Sequence, residues 1–276
     1  MCRIAVFATK NWDLVSKVID AIVKASKYDF IADREYAFRS HEDGWGYSIA
    51  VFKGWWHTIT YKTRTPVWLD NLTPLRKVIE GADIVLGLIH TRKASTGMPI
   101  NAYSAHPYTV SVKQGCILHV AQNGGIKKEE GAKLLRGRYE LELEKVTDTF
   151  IYTLLLAEYY DTLTGDPPER LLNALVFLHK QLDKTRIRGR CLNTTVLLEG
   201  PENLYAVAGV RAYYQEKEYY QLYEHKEEFL MVSSTVAEVF PEELKKINRN
   251  IVKVAYIEKG EIMKLVHEIP LATRAC

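Results

Sequence analysis

Short apolar segments of strand length, separated by turns, make up most of this sequence and limit its possible folds more than any other feature. They lie at residues 3–8, 47–52, 56–62, 83–90, 116–123, 194–200, 203–210, 228–234, 251–258 and 261–269. Helical patterns interrupt them at residues 13–26 and 148–160, and Pro168 opens a third helix that runs to about Leu182. Strands and helices grouped in this way predict two sheets layered between helices, in a single domain over residues 1–276.

Composition and charge exclude several classes of protein. The chain has 276 residues, of which 47% are hydrophobic and 26% charged, values that are typical of a globular protein. Its net charge of +3 comes from interspersed basic and acidic residues, which does not favour a nucleic-acid partner. No apolar run approaches the roughly 20 residues that span a bilayer, and no signal peptide is recognisable, so we expect a cytoplasmic protein without membrane contact.

The four cysteines do not form a recognisable metal or disulfide pattern. Cys2, Cys116, Cys191 and Cys276 are widely spaced and include no C-x-x-C pair. We therefore expect neither a zinc site nor a disulfide framework, and no cofactor. Cys116, Cys191 and Cys276 are interpreted as structural or incidental, which leaves Cys2 as the cysteine of interest.

Cys2 follows the initiator methionine, and its small side chain favours removal of Met1. The chain would then begin with a residue that carries both a thiol and a free α-amine. An α-amine titrates near about 7.7 and a thiol near about 8.5, so the amine can act as a base for a good nucleophile at neutral pH. On position alone, the simpler interpretation is that Cys2 is the second residue of a buried strand.

Six motifs in order change that interpretation. They are MCRI (1–4), HEDGWG (41–46), HTRKASTG (90–97), AHPY (105–108), QNGGI (122–126) and VTDTF (146–150). In this order they resemble the class II glutamine amidotransferases, which belong to the N-terminal nucleophile hydrolases, and most closely the small stand-alone members of that family. The resemblance covers residue 2 to about residue 160. It implies an α+β fold, a four-layer αββα sandwich of two mainly antiparallel sheets between helices.

The resemblance also implies roles for particular residues. Cys2 would attack the side-chain amide of L-glutamine, form a γ-glutamyl thioester, release ammonia and be regenerated by water. Arg92 would bind the substrate α-carboxylate through paired hydrogen bonds, and Asp148 would bind the α-ammonium. Asn123 and Gly124 would form the oxyanion hole, whose donors are worth roughly 3 kcal/mol each.

The HEDGWG motif resembles the family's glycine-rich loop, which packs beside the nucleophile strand and helps to form the glutamine pocket. Asp43 and Gly44 are accordingly interpreted as pocket-building residues, and Trp45 as a packing residue. His41 either contacts substrate or has a structural role. His90 and Ser95 complete the predicted substrate-binding set.

Each of these features has a simpler interpretation when it is taken alone. Asn123–Gly124 would be a tight turn, since Asn-Gly is the commonest hairpin dipeptide, and Asp148 would be a helix N-cap. Arg92 would be a surface arginine, and His90 and His106 would be ordinary core or loop residues. The functional interpretation depends on the joint order of the motifs.

The sequence also departs from the larger amidotransferases. There the arginine motif continues with an aromatic residue and then Ala-Thr-His-Gly, whereas this chain has Lys93, Ser95 and Thr96, and Gln122 occupies a position where histidine is usual. Ser95 can still donate a hydroxyl, but Lys93 cannot form an aromatic wall over the substrate. The exact substrate therefore stays open.

Three functions follow from these observations. The first is hydrolysis of glutamine, with the ammonia released or passed to a separate synthase subunit, because no synthase module is recognisable in the sequence. The second is hydrolysis of a γ-glutamyl peptide or another small amide. The third is a non-catalytic glutamine-binding regulatory protein that retains Met1. The tyrosine-rich stretch at 213–228 is expected to be an exposed sheet edge or a contact in a homo-oligomer.

Overall fold

The computed structural model describes residues 2–137, 141–212 and 217–271. The strands in these ranges are β1 (Cys2–Thr9), β2 (Trp45–Phe52), β3 (Trp56–Thr63), β4 (Ile84–Arg92), β5 (Tyr108–Val112), β6 (Cys116–Ile126), β7 (Arg188–Glu199), β8 (Tyr205–Arg211), β9 (Leu222–Glu224), β10 (Phe229–Ser233), β11 (Lys245–Lys246), β12 (Ile251–Glu258) and β13 (Glu261–Glu268). The helices are α1 (Trp12–Lys27), α2 (Phe30–Tyr36), α3 (Thr73–Ile79), α4 (Lys128–Ala132), α5 (Asp148–Thr162), α6 (Pro167–Lys184) and α7 (Ser234–Val239). Each apolar segment predicted as a strand corresponds to a strand, and the three predicted helices correspond to α1, α5 and α6.

The strands form two antiparallel sheets. The seven-stranded sheet has the order β11-β9-β10-β1-β4-β2-β3, and the six-stranded sheet has the order β13-β12-β8-β7-β6-β5. Helices α1, α3 and α7 pack on the outer face of the first sheet, and α5 and α6 pack on the outer face of the second. The predicted α+β sandwich of two sheets between helices is confirmed.

Strand β1 lies at the centre of the seven-stranded sheet and is buried on both faces. Ile4, Val6 and Ala8 face the six-stranded sheet, whereas Ala5 and Phe7 face the helices. This alternation follows from the two-residue repeat of a strand. Because both faces need apolar side chains, the sequence of β1 is almost continuously apolar and does not alternate between apolar and polar residues.

The simpler interpretations of Asn123–Gly124 and of Asp148 do not match the structure. Asn123–Gly124 is not a tight turn, because it lies within β6 and pairs with β7. Asp148 is not the N-cap of α5 but its first residue, since Thr147 is the cap and its side chain accepts a hydrogen bond from the Phe150 N–H. In the described part of the tyrosine-rich stretch, Tyr219 and Tyr220 are buried against α2 and do not form an exposed sheet edge. The homo-oligomer contact stays a prediction.

Some of the expectations concern residues that lie outside the described ranges. These are the retention of Met1, the role of Cys276, and residues 213–216 of the tyrosine-rich stretch. Among the helices that are described, none has both the length and the apolar composition needed to span a membrane.

The stability of the fold should depend on pH through His179 of α6. Its side chain is fully buried, its Nε2 is 2.9 Å from the Tyr152 hydroxyl, and burial lowers its pKa from 6.5 to about 3. The unfolded chain therefore binds a proton that the folded chain does not as the pH falls below about 6.5. The free energy of unfolding should fall by about 1.4 kcal/mol per pH unit from this group alone until the pH nears 3.

The variant His179→Gln removes this titration but keeps an acceptor for Tyr152. We expect urea unfolding between pH 4 and 6 to show a shallower loss of stability with falling pH than in the parent, by about 1.4 kcal/mol per pH unit. Stability measured at pH 8 corrects for the change in packing. Equal slopes for the two proteins would contradict this assignment.

Candidate active site

The ends of strands from both sheets meet at one edge of the sandwich. Cys2, the first residue of β1, pairs with Arg92, the last residue of β4, and Gly124 lies near the end of β6 in the other sheet. Asp148 begins α5. These four residues line one cavity together with Lys93, Ala94, Ser95, Met98, His106, Gln122, Thr147 and Thr149. Of the predicted site, the structure thus brings Cys2, Arg92, Ser95, Gly124 and Asp148 into one cavity.

Cys2 is 94% buried and is held from both sides. Its backbone nitrogen donates to Asn123 Oδ1 at 3.2 Å, and its carbonyl accepts from the Tyr219 hydroxyl at 3.3 Å. Burial on its own would raise the pKa of the Cys2 thiol, but nearby positive charges, among them His90 and Arg92, outweigh it and lower this pKa to about 6. The thiolate is the nucleophilic form of cysteine, and it therefore predominates at neutral pH.

Asn123 and Gly124 present hydrogen-bond donors beside the thiol. Asn123 Nδ2 is buried and has no hydrogen-bond partner among the described residues. A buried amide donor without a partner is costly, unless a ligand atom accepts its hydrogen bond. Gly124 has φ +131°, and the register of β6 with β7 shifts between Gly124 and Ile126. The bulge and the free amide form an arrangement that suits a negatively charged oxygen.

Arg92 is buried and oriented by its neighbours. Its Nη1 donates to Ser104 Oγ at 3.1 Å, and the Ser104 hydroxyl donates in turn to the Asn101 carbonyl. The Arg92 backbone N–H donates to the Gly44 carbonyl at 2.8 Å, and its carbonyl accepts from the Asp43 N–H at 3.0 Å. A guanidinium held in this way can offer paired donors to a carboxylate.

Asp43 and Gly44 lie behind the loop that follows β4, outside the residues that line the cavity. Asp43 Oδ2 accepts from the Ala94 N–H at 2.8 Å and lies 3.6 Å from Lys93 Nζ. The HEDGWG motif therefore braces the end of β4 and the start of this loop. Its support of the cavity is indirect.

Asp148 projects into the cavity from the first turn of α5. Its Oδ2 accepts from the Ile126 N–H at 3.1 Å, and its Oδ1 accepts from the Thr149 N–H at 3.0 Å. Burial raises the pKa of Asp148, and the backbone donors oppose that change. A Cβ at Gly125 would lie 2.3 Å from Oδ2, so this glycine allows the carboxylate its close approach to β6.

His41 lies in a buried ionic cluster away from the cavity. Its Nε2 is 2.7 Å from Asp29 Oδ2, which also accepts from Arg3 Nε at 2.5 Å, and all three side chains are fully buried. Burial lowers the pKa of His41 to about 4. Of the two roles considered for His41, the position supports the structural one.

Sequence reasoning missed Asp29 and Tyr219. Asp29 accepts from Arg3, His41 and Thr235, and Tyr219 contacts both the Cys2 carbonyl and the Arg3 guanidinium, which lies 4.0 Å from its ring centroid. The available signal was Arg3, because a charged residue within a buried apolar strand requires a buried partner. Among the described residues, no group of three or more His, Cys, Asp or Glu is placed to hold a metal ion.

Gly124 offers a test of the strand geometry at the site. A Cβ at this position would lie 1.9 Å from the Cys191 carbonyl oxygen, whereas a Cβ at Gly165, which also has positive φ, meets nothing within 4 Å. Gly165→Ala should cost about 1–2 kcal/mol of stability from backbone strain alone. Gly124→Ala should cost about 1–3 kcal/mol more from overpacking, measured by urea unfolding. Equal losses in the two variants would mean that β6 and β7 are not packed as described.

Comparison with known proteins supports the fold. No family model and no curated protein matches the sequence. Two solved structures match with a TM-score of 0.53 and 10% identity: glutamine phosphoribosylpyrophosphate amidotransferase from B. subtilis complexed with ADP and GMP, and a structure described as the allosteric regulatory enzyme of purine biosynthesis. Each match covers 99% of this chain and 50% of the other, so this chain spans about half the length of those proteins.

A glutamine aminotransferase class-II domain protein from Silicibacter pomeroyi also matches, over 98% of this chain and 99% of the other, with 12% identity. Its TM-score of 0.46 is too low to support an argument. At the identities of the two longer proteins the similarity establishes the fold alone. The chain thus has the fold that its resemblance to the class II glutamine amidotransferases implies.

Proposed function

We propose that this protein hydrolyses the side-chain amide of L-glutamine, with Cys2 as the nucleophile after removal of Met1. The observation that carries the proposal is that the cavity containing the Cys2 thiol also contains one buried cation, Arg92, and one partly buried anion, Asp148. We also propose that residues 1–276 act as one glutaminase domain, whose ammonia is released or passed to a separate synthase subunit.

The charges of the cavity complement the zwitterionic end of an α-amino acid. Arg92 would bind the α-carboxylate and Asp148 the α-ammonium. Two such contacts fix both the position and the rotation of the substrate, so the side-chain amide reaches the sulfur in a defined orientation. Lys93, the second cation in the cavity lining, lies 2.9 Å from Glu42 and 3.6 Å from Asp43, and its charge is largely balanced by them.

The chemistry requires a nucleophile, an oxyanion site and a proton carrier. The Cys2 thiolate would attack the amide carbon, and the resulting oxyanion would accept hydrogen bonds from Asn123 Nδ2 and the Gly124 N–H. The Cys2 nitrogen, which donates to Asn123 Oδ1, would become the α-amine after removal of Met1 and would move protons between the reacting groups, with water as the final acceptor of the γ-glutamyl group. Ammonia and glutamate are the products.

The experiment that tests this function is covalent labelling with a diazoketone analogue of glutamine. Intact mass before and after incubation reports whether Met1 is absent and whether one adduct forms, and peptide mapping assigns the residue. A single adduct on Cys2, absent in Cys2→Ser, would support the proposal. A Met1-free chain that stays unlabelled on Cys2 would contradict it. Cys116 and Cys191, which are buried free thiols, serve as internal controls.

Arg92→Lys tests the carboxylate contact. Lysine keeps the charge but cannot form two parallel hydrogen bonds. We expect KM for glutamine to rise about tenfold to a hundredfold, because a hydrogen bond to a charged group contributes about 1.5–3 kcal/mol. Arg39→Lys is the matched control, since that side chain is 74% exposed and should leave KM unchanged. Steady-state ammonia release measures both, and an unchanged KM in Arg92→Lys would exclude the proposed contact.

Gln122 favours a second candidate substrate, a γ-glutamyl peptide or another small amide. Gln122 lines the cavity, is buried, and has an Nε2 without a hydrogen-bond partner among the described residues. This donor would suit an additional carbonyl on the substrate. If so, γ-glutamyl peptides should show a higher kcat/KM than glutamine, and Gln122→Leu should remove that preference without raising KM for glutamine. Binding of glutamine without turnover of any amide would instead support a regulatory protein.

A further inference from the structure

His90 lies beside Cys2 in the layer between the two sheets. Ile4 pairs with His90 in the register of β1 with β4, and Cys2 pairs with Arg92 two residues further along. Because Ile4 and Val6 of β1 and Leu86 and Leu88 of β4 face this layer, the two-residue repeat places Cys2 and His90 on the same face. His90 is fully buried, and it is one of the groups that lower the pKa of the Cys2 thiol.

The hydrogen bonds of the ring define its tautomer. His90 Nε2 is 3.2 Å from the Gln122 carbonyl oxygen and 2.8 Å from His106 Nδ1. A carbonyl oxygen can only accept, so the Nε2 atom carries the proton. In the neutral ring His90 Nδ1 is then an acceptor, and it is buried with no hydrogen-bond partner among the described residues. A basic nitrogen is therefore available on the face of the sheet that carries the Cys2 side chain.

His106 is suited to hold His90 in this state. It lines the cavity, and its Nδ1 accepts from His90 Nε2. Burial and the nearby positive charges of His90, Arg92 and Lys62 keep the pKa of His106 well below 6.5, so the ring stays neutral. A neutral acceptor at this position stabilises a positive charge on His90 more than it stabilises the neutral ring.

We propose that His90 is the base that takes the Cys2 thiol proton, and that His106 and the Gln122 carbonyl are its positioning groups. The S–H bond breaks, the proton moves to His90 Nδ1 and the electron pair stays on sulfur. The thiolate forms the S–C bond with the amide carbon, and His90 returns the proton to the nitrogen as the C–N bond breaks. The inference rests on the proposed function for its substrate, whereas the thiol-to-imidazole transfer needs no substrate.

This assignment divides the proton transfers between two bases. His90 lies beneath the thiol between the sheets, whereas the backbone nitrogen of Cys2 is held by Asn123 Oδ1 at the oxyanion site. The α-amine is thus placed to take the proton from the water that attacks the thioester and to pass it to the sulfur. Sequence alone gave the thiol and the amine, and it left His90 as either a substrate contact or a core residue.

Other charged and titratable groups lie near this pair. They are Lys62 of β3, Arg92 of β4, Asp148 of α5 and Tyr219, with Arg3 on the opposite face of β1. Arg92 also favours the thiolate, so loss of His90 should remove only part of the effect on the thiol. The α-amine, which titrates near about 7.7, is common to every variant.

The test is the rate of Cys2 alkylation by iodoacetamide between pH 4.5 and 9, with the label assigned by peptide mass. The variants are His90→Gln, which keeps a donor at the Nε2 position but cannot accept a proton, His106→Asn and His106→Leu. His119→Gln is the control, because His119 is buried in β6 and contacts Thr60 and Thr109. The parent and the control should both show an inflection near pH 6.

We expect the inflection to move up by about one pH unit or more in His90→Gln, with a roughly tenfold lower rate at pH 5.5. His106→Asn retains an acceptor oxygen and should stay close to the parent, whereas His106→Leu should shift in the direction of His90→Gln. Rescue by asparagine distinguishes a positioning role from a packing role. The kcat for amide hydrolysis should fall in the same order.

An inflection in folded His90→Gln that equals that of the parent would overturn the inference. If His90→Gln does not fold, equal inflections in His106→Asn and His106→Leu would overturn it instead. If amides are turned over but the pH profile of Cys2 alkylation does not depend on His90, this inference is contradicted and the proposed function is not. If the pH profile of Cys2 alkylation depends on His90 but no amide is turned over, the role of His90 is supported and only the proposed function is contradicted.

Discussion

The buried ion pair between Arg3 and Asp29 is the constraint on which the site depends. Both side chains are fully buried, and Asp29 also accepts from His41, Thr235 and the Ala32 N–H. Removing one partner of such a pair leaves an uncompensated buried charge, at a cost of about 3–5 kcal/mol. Arg3 therefore strongly favours a single register for β1. Because adjacent residues of a strand face opposite sides, fixing Arg3 toward the helices fixes Cys2 toward the six-stranded sheet.

Regular strands bring the remaining residues of the site to one edge of the sandwich, and a local irregularity in β6 sets the position of Gly124. The register of β1 with β4 places Cys2 opposite Arg92, and β6 brings Asn123 to the same edge from the other sheet. Beyond Gly124 the register of β6 with β7 shifts, and the positive φ of Gly124 departs from regular strand geometry. The strands supply rigidity, and the irregular end of β6 places Gly124 in the lining of the cavity.

Much of this architecture could be predicted from the sequence because its signals are local. Apolar runs of strand length identified most of the strands, and the joint order of short motifs identified Cys2, Arg92 and Asp148 as members of one site. The Asn-Gly pair gave a misleading local signal. Its preference for a turn is outweighed by pairing with β7, which lies about 70 residues further along the chain.

Other parts of the site depend on contacts between distant segments, and no local pattern encodes them. Tyr219 reaches the Cys2 carbonyl across 217 positions of sequence, and Asp29 reaches Arg3 from the N-cap of α2. The partners of His90 come from the loop before β5, which carries His106, and from β6, which carries Gln122. The sequence shows which amino acid stands at each of these positions but not which residues lie next to it in space. The chemistry of a histidine depends on those neighbours.

The arrangement of charge explains how a thiolate and a carboxylate can share one small cavity. Two like charges would raise each other's pKa, and burial would add to that effect at both Cys2 and Asp148. Arg92 offsets it on the side of Cys2, whereas backbone N–H groups from Ile126 and Thr149 offset it at Asp148. The described groups that stabilise the two anions are thus different. Under the proposed function, the α-carboxylate of the substrate would pair with Arg92 and its α-ammonium with Asp148, so that neither protein charge is left unpaired when water leaves the cavity.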